Sequence, residues 1–364
     1  MKINQLRQQV LTQPHSAVLI FSDINIRYVS NFSGHAATVL ITEKTNYLIT
    51  DYRYFEQAKE QAGHEQKRFT VICRDRANQT LAELIIELLN QENCQTLFFE
   101  SEHINVANWQ TMSTLIEQQT QVTQITSIVG SIEKLRMIKT ADEIASIKQA
   151  ADIGDQALAN ILPLVKTGIT ERELAIELDY QMAKLGSEEL SFATILGFGE
   201  RSALPHGIPS TRKLKHGDLI LIDFGAVVNG YRSDMTRTFV FGKANDQQKQ
   251  IYQLVQEAQQ AAIDKLTEGV SGQALYERSA NILLNSNYKE YAGEGLGHGV
   301  GLQLHEQPFL GADCKTTIEQ GCVITIEPGI YIPGWGGIRI EDDVVLTENG
   351  LEIITQAPKN LQEL

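Results

Sequence analysis

Short runs of apolar residues, rich in β-branched and aromatic side chains, recur through the first third of the chain at 16–21, 38–41, 47–50, 69–73 and 96–99, and predict strands. Between them, near 51–63, 78–91 and 104–118, the apolar spacing changes to three and four and predicts amphipathic helices. Alternation of the two patterns over 1–128 predicts an α/β domain with a mixed or parallel sheet. That region contains no G-x-G-x-x-G and no G-x-x-x-x-G-K-[ST], so a nucleotide-binding function has no phosphate loop to rest on.

A new pattern starts after residues 129–139, which the sequence marks as a linker, and runs over 140–364. Thr140 with Glu143, and Thr170 with Glu173, form capping boxes that open helices ending near Val165 and Gly186. Strand-like segments follow at 191–197 and 218–241. The same order then recurs: helices near 246–268 and 271–286, strand-like stretches near 299–304 and 322–327, and a last hairpin-like pair ending at 338–346.

The stretch 218–241, DLILIDFGAVVNGYRSDMTRTFVF, reads as a β-hairpin about Asn229-Gly230, a dipeptide suited to positive φ at both centres of a type I′ turn. Counting back from that turn pairs Val228 with Tyr231, Gly225 with Asp234 and Asp223 with Thr236. Both faces of the first arm are otherwise apolar, which makes it a central strand and buries two acids on one face. Buried carboxylates must be paired, protonated or bound to a cation. Arg232 or Arg237 could pair with them. The missing side chain at Gly225 could instead leave room for an ion.

If the repeat holds, the second half should supply acids of its own, and it contains VITIEPG at 323–329 and GIRIEDD at 337–343. Glu327 ends an apolar strand where Pro328-Gly329 turns the backbone away. The two-residue period places Glu341 in mid-strand on one face with Arg339 and Asp343, and Asp342 on the other. His298 lies in GEGLGHGVG, where glycine at alternate positions permits close approach of a ligand or a neighbouring strand. His206 and His305 sit in loops bounded by proline and glycine; His15, His35, His64, His103 and His216 have no such setting. His305-Glu306 is followed by Gln307-Pro308 and no histidine four residues on, which excludes an H-E-x-x-H zinc site.

Four carboxylates and an imidazole suit two divalent ions, with Mn²⁺ or Co²⁺ favoured by the oxygen ligands and Zn²⁺ admitted by the histidine. Such a pair holds a hydroxide and polarises a carbonyl, the machinery of metal-assisted hydrolysis.

Composition narrows this further. A length of 364 residues exceeds one usual core and predicts two domains. With 31 basic against 45 acidic residues, the net charge of −14 argues against nucleic acid or an anionic membrane as partner. No long apolar run stands at the start or elsewhere, so the expected compartment is the cytoplasm. Four cysteines without C-x-x-C spacing are expected to be reduced and structural.

In order and spacing, Asp223 in LILIDFG, Asp234 in YRSDMTRTF, His298 in GHGVGL, Glu327 in ITIEPGIY and Glu341 in GIRIED resemble the ligands of the dinuclear metallopeptidases with the pita-bread fold. That group comprises methionine aminopeptidase, prolidase, aminopeptidase P and the non-metal creatinase. NIRYVSNFSG at 25–34 and LITDYRYFEQA at 48–58 resemble the creatinase-type N-terminal domain of the Xaa-Pro branch. The resemblance implies an α+β chain in which the pita-bread fold, with its pseudo-twofold repeat, follows an α/β creatinase-type domain. It implies Asp223 on one metal ion, His298 and Glu327 on the other, and Asp234 and Glu341 bridging two ions, most often Mn²⁺. Glu327 is then also the proton acceptor, His206 and His305 steady the substrate and the tetrahedral intermediate, and Arg339 stands beside the bridging glutamate. The implied reaction is hydrolysis of an Xaa-Pro bond at the N-terminus of a peptide or in a dipeptide, by a homodimer. Glu294 departs from the pattern, because many members of the branch carry a histidine there, and this bears on the preferred substrate length. A member without hydrolysis, acting as a peptide-binding module, is the alternative; such proteins usually lack one or more ligands, and none is missing here.

Overall fold

The computed structural model describes residues 2–63 and 68–364, so His64 lies outside the described residues. Contacts divide the chain into two units, Met1–Arg136 and Met137–Leu364.

In the first unit, β1 (Ser16–Ile20), β2 (Thr38–Thr42), β3 (Asn46–Thr50), β4 (Thr70–Cys73), β5 (Thr96–Glu100) and β6 (Gln124–Ile128) form one sheet in the order β4-β3-β2-β1-β5-β6. The two pairings made by β2 are antiparallel and the other three are parallel, so the sheet is mixed. Helix Leu81–Gln91, opened by a Thr80–Glu83 capping box, buries Ile85 and Leu89 in a cluster with Leu19, Leu40 and Leu97 of the sheet. Helices Lys2–Val10 and Asp23–Ser30 and strand β6 stand where the sequence gave no expectation. Within 129–139 the chain forms a helix, Ser131–Met137.

The second unit begins with helices Ala141–Ile161 and Glu171–Leu185, each opened by its expected capping box, at Thr140 and Thr170. The strands β7 (Ile195–Phe198), β8 (Leu219–Phe224), β9 (Val227–Val228), β10 (Tyr231–Arg232) and β11 (Met235–Val240) follow. β8 is central, between β11 and β7, and β9 pairs with β10. The turn between β9 and β10 has φ of 52° at Asn229 and 79° at Gly230, both left-handed as a type I′ turn requires. Its register is the one counted from the sequence, with Val228 opposite Tyr231 and Asp223 opposite Thr236.

Two further helices, Asp246–Lys265 and Gly272–Leu284, precede β12 (Gly297–Gly299), β13 (Glu306–Leu310), β14 (Val323–Ile326), β15 (Gly329–Ile332), β16 (Gly336–Arg339), β17 (Asp342–Thr347) and β18 (Gly350–Ile353). Five of these make a sheet in the order β13-β12-β14-β17-β18, while β15 and β16 pair separately. The single strand expected at 299–304 is instead two shorter ones on either side of it, with a register shift after His298. The irregularity places His305 in the connection rather than in a ladder.

Each half of this unit uses its strand alternation in the same way. Ile220, Ile222 and Phe224 of β8 pack in a cluster with Ala150, Leu158, Leu174 and Leu178 of the first helix pair. Ile324 and Ile326 of β14 pack in a cluster with Ala262 and Leu275 of the second. Burial of such a side chain contributes about 1.5–3 kcal/mol, so the apolar positions fix which way each strand faces. Asp223 in one strand, and Thr325 with Glu327 in the other, therefore face away from the helices.

Candidate metal centre

Asp223 sits on the non-helix face of β8, and Asp234 comes just before β11, whose ladder with β8 begins at Met235 opposite Phe224. Gly225 is not the vacancy for an ion that the sequence suggested. A Cβ there would run into the carbonyl oxygen of Ser233 and into Cβ of Ser191, so glycine permits the close approach of the backbone itself. The arginines named as partners of the acids are engaged elsewhere: Arg232 pairs with Glu189 at 2.8 Å, and buried Arg237 with Asp342 at 2.7 Å. Arg339 is the cation that reaches the site, where its Nη2 donates to Oδ2 of Asp223. Oδ1 of Asp223 is buried and has no hydrogen-bond partner among the described residues.

Glu327 follows the end of β14, where Pro328 turns the chain, as the sequence predicted. Glu341 is not in mid-strand. It lies between β16 and β17, at the point where the chain leaves one sheet for another, and its backbone N–H donates to the Thr236 carbonyl at 3.2 Å. The period-2 reading missed this because alternation along a strand carries no sign of a change of partner.

His298 is held in one tautomer. Nδ1 donates to the Gly299 carbonyl at 3.0 Å, which leaves the Nε2 lone pair free, 3.6 Å from Oδ2 of Asp234 and 3.4 Å from Oε1 of Glu327. Both separations exceed a normal hydrogen bond. The flanking glycines serve the neighbouring strands, since a Cβ on Gly297 would meet the Thr325 carbonyl and one on Gly299 the Gln307 carbonyl. Ligand atoms of Asp234, His298 and Glu341 lie within 4.8 Å of one another, and all three residues are buried.

Several supporting groups escaped the sequence reading. The Thr236 hydroxyl donates to Oε2 of Glu341 at 2.6 Å and accepts from Nε of Arg339 at 2.8 Å. Its place opposite Asp223 in the register count could have marked it. Thr325, two residues before Glu327, accepts from the His298 backbone N–H at 3.0 Å and donates to Oε1 of Glu327 at 3.1 Å. Asp343 accepts the Asp234 backbone N–H at 2.9 Å, and the Tyr331 hydroxyl accepts from Nη1 of Arg339 at 2.7 Å.

The electrostatics are those of a site short of positive charge. Burial, and then repulsion from neighbouring acids, pushes Asp234 and Glu341 well above the ordinary carboxylate range. Burial also raises Glu327, against the pull of Arg339. Burial lowers His298, which favours the neutral imidazole that a metal requires. The residues present therefore fit divalent cations: carboxylates and one neutral imidazole converge, one buried carboxylate oxygen has no partner, and the nearby arginine engages only one of the acids.

These groups line a cavity of about 720 Å³. Asp223, Asp234, His298, Glu327, Arg339 and Glu341 line it, together with the exposed residues His206, Glu294, His305 and Phe309. The His305 ring meets the His298 ring edge-on, with centroids 4.3 Å apart, and partial desolvation of the ring, with that neighbouring imidazole, lowers its pKa as well. All eight residues singled out by the sequence thus line one cavity. Among the described residues, no helix is long and apolar enough to cross a membrane.

Comparison with known proteins agrees with this geometry. Residues 145–348 match metallopeptidase family M24, and residues 2–138 match the creatinase/prolidase N-terminal domain. An Xaa-Pro dipeptidase of Pyrococcus horikoshii is 36% identical over 346 residues, spanning 95% of this chain and 94% of the relative. The solved Xaa-Pro dipeptidase from Bacillus anthracis superposes with a TM-score of 0.91 at 36% identity, covering 100% of this chain and 99% of that one. The X-Pro aminopeptidase from Thermotoga maritima gives a TM-score of 0.88 at 34% identity, covering 96% and 97%. With residues 145–348 matching the peptidase family and residues 2–138 the N-terminal domain, the chain belongs to metallopeptidase family M24, its pita-bread unit preceded by a creatinase/prolidase-type N-terminal domain.

Proposed function

We propose that the protein is a dinuclear metal-dependent peptidase that hydrolyses the bond between an N-terminal residue and a following proline. The observation that carries the reading is the buried convergence of Asp234, His298 and Glu341, with Glu327 3.4 Å from the same imidazole nitrogen. The substrate class comes from relatives that are Xaa-Pro peptidases over nearly their whole length. In this reading Asp223, Asp234, His298, Glu327 and Glu341 would together hold the two ions. The oxygen-rich set favours Mn²⁺, with Co²⁺ and Zn²⁺ as alternatives. When bound, the ions supply Lewis acidity, polarising the scissile carbonyl and lowering the pKa of water.

The chain's own residues account for the rest. Glu327, whose side chain is 26% exposed, can exchange protons with water and with substrate in the cavity. It takes a proton from the attacking water as oxygen bonds to the carbonyl carbon. It returns that proton to the proline nitrogen as the C–N bond breaks, because a tertiary amide nitrogen carries no proton of its own and must gain one to leave as an amine. Thr325 holds Oε1 of Glu327 in place. His305 donates a hydrogen bond to the oxygen that gains charge, and His206 steadies the peptide, both from the cavity lining. Arg339 positions Asp223 and acts through it.

The test is an assay of chelator-stripped protein with Ala-Pro and Ala-Pro-Ala, before and after addition of Mn²⁺, Co²⁺ or Zn²⁺. Turnover that appears with metal supports the reading. Turnover that persists through exhaustive chelation overturns it.

A further inference from the structure

Relatives called dipeptidase and aminopeptidase match this chain about equally, at 36% and 34% identity, so the preferred substrate length has to be sought in the cavity itself. In an Xaa-Pro dipeptide the proline carries a free carboxylate two bonds from the nitrogen that leaves. In a longer peptide the same carbonyl is an uncharged amide. A site that favours the dipeptide must therefore offer that carboxylate a cation or several hydrogen-bond donors.

The described residues that line this cavity offer little. Arg339 is the one arginine among them, there is no lysine, and the guanidinium is committed. Nε donates to Thr236, Nη1 to the Tyr331 hydroxyl and the Pro205 carbonyl, and Nη2 to Asp223 and the Pro205 carbonyl. Its side chain is 3% exposed, so it could meet a substrate carboxylate only by giving up those partners.

Glu294 works in the opposite direction. It lines the cavity, is exposed, and has no hydrogen-bond or ion-pair partner among the described residues. Its loop is pinned against the Glu327 segment on both sides: Gly293 N–H donates to the Gly329 carbonyl at 2.9 Å, and the Leu296 carbonyl accepts from the Glu327 N–H at 2.8 Å. The loop that carries the acid is thus fixed to the segment that carries Glu327, the group that in the reading above hands its proton to the leaving nitrogen, and the carboxylate of a dipeptide's proline is only two bonds from that nitrogen. An unpaired acid in the lining, with no free cation among the described lining residues, disfavours a second carboxylate.

Resting on the Xaa-Pro reading of this site, we infer that Glu294 is a specificity-determining residue that sets the enzyme against a free carboxylate on the proline, so that Xaa-Pro-Yaa and longer peptides are taken in preference to Xaa-Pro dipeptides. The discrimination is electrostatic. It should weaken as salt shortens the Debye length from about 10 Å at 0.1 M to about 3 Å at 1 M, which a steric filter would not do.

The experiment compares Ala-Pro, its amide Ala-Pro-NH2 and Ala-Pro-Ala on the Mn²⁺-loaded full chain, wild type and Glu294→Gln, at low and high salt. Titration calorimetry with L-proline and L-prolinamide provides a readout independent of turnover. The wild type should favour the amide and the tripeptide over the dipeptide by about tenfold in kcat/KM, a gap set by a like-charge contact of this kind. The gap should shrink severalfold in Glu294→Gln, mainly through a lower KM for Ala-Pro, and also in 1 M salt. Proline should bind more weakly than prolinamide to the wild type, and the difference should narrow in the variant. Equal use of dipeptide and amide by the wild type, or a gap that the variant leaves intact, overturns the inference. Equal loss on all three substrates in Glu294→Gln also overturns it, and would mark the residue as an anchor for the substrate ammonium. If no Xaa-Pro substrate is cleaved under any loading, it is the Xaa-Pro reading that has failed, and the calorimetric comparison still decides whether Glu294 repels a carboxylate.

Discussion

Arg339 donates to one carboxylate oxygen of Asp223, while the other oxygen of the same group is buried with no hydrogen bond among the described residues. The pair thus engages one oxygen of the carboxylate and leaves the other free to take a further ligand. Replacing Arg339 with Met strands a buried acid, at a cost of about 3–5 kcal/mol for breaking such a pair from one side. Urea denaturation of the chelated protein at pH 8 should show that loss, and saturating Mn²⁺ should recover part of it. Metal affinity should fall about 10–100-fold, as for other residues that orient a ligand from behind. An unchanged affinity would mean that Arg339 only fills space.

A buried acid cluster without its ions should be less stable at high pH. Burial raises Asp234, Glu341, Glu327 and Asp343 in the folded state, with repulsion between acids adding to it, whereas unfolded carboxylates titrate near pH 4. The folded metal-free protein then holds protons that the unfolded chain has released, so stability is lost as pH rises above the ordinary carboxylate range. His298 is lowered by burial and acts oppositely below its usual value, about 6.5, which leaves the window above pH 7 as the clean one. Melting temperatures of chelated and Mn²⁺-loaded protein, measured from pH 7 to 9, should diverge with rising pH, because metal binding displaces the same protons. Parallel curves would contradict a metal-binding role for these carboxylates.

Glu341→Gln separates function from stability. The amide keeps an acceptor for the Thr236 hydroxyl and removes one charge from the repelling group. Metal-free stability at pH 8 should hold or rise by up to about 2 kcal/mol, in the range of a typical stabilising substitution. Turnover should fall more than about 100-fold, beyond what is lost when a supporting residue is removed. Calorimetric titration with Mn²⁺ should show one tight site in place of two. Full turnover with two sites intact would remove Glu341 from the ligand set.

Asp223 and Thr236 show what local sequence can determine. A two-residue turn with known φ signs fixes every pair along the ladder, so counting from Asn229-Gly230 placed them opposite one another. Glu327 was legible for a similar reason, since proline at 328 stops a strand wherever it packs. The role of Gly225 was not legible, because it depends on how closely the backbone of Ser233 approaches across the ladder. Glu341 was misplaced because the passage from β16 to β17 changes partners without breaking the apolar alternation. Contacts such as Arg237 with Asp342 join residues 105 positions apart, and pairing between distant charges has no local signature.

Lys139 and Glu306 provide the last test, because their ion pair at 2.7 Å is almost sealed, with side chains 1% and 3% exposed. Glu306 opens β13 directly after His305, so the pair ties down the end of the connection that carries the histidine. Lys139→Met should destabilise the protein by about 3–5 kcal/mol, and the double variant Lys139→Met, Glu306→Gln should recover much of that, since a buried charge left alone costs more than a pair removed together. If the pair also positions His305, Lys139→Met at 15 °C, where the protein remains folded, should lower kcat with little change in KM. A defect confined to stability, with kcat intact, would limit the pair to a structural role.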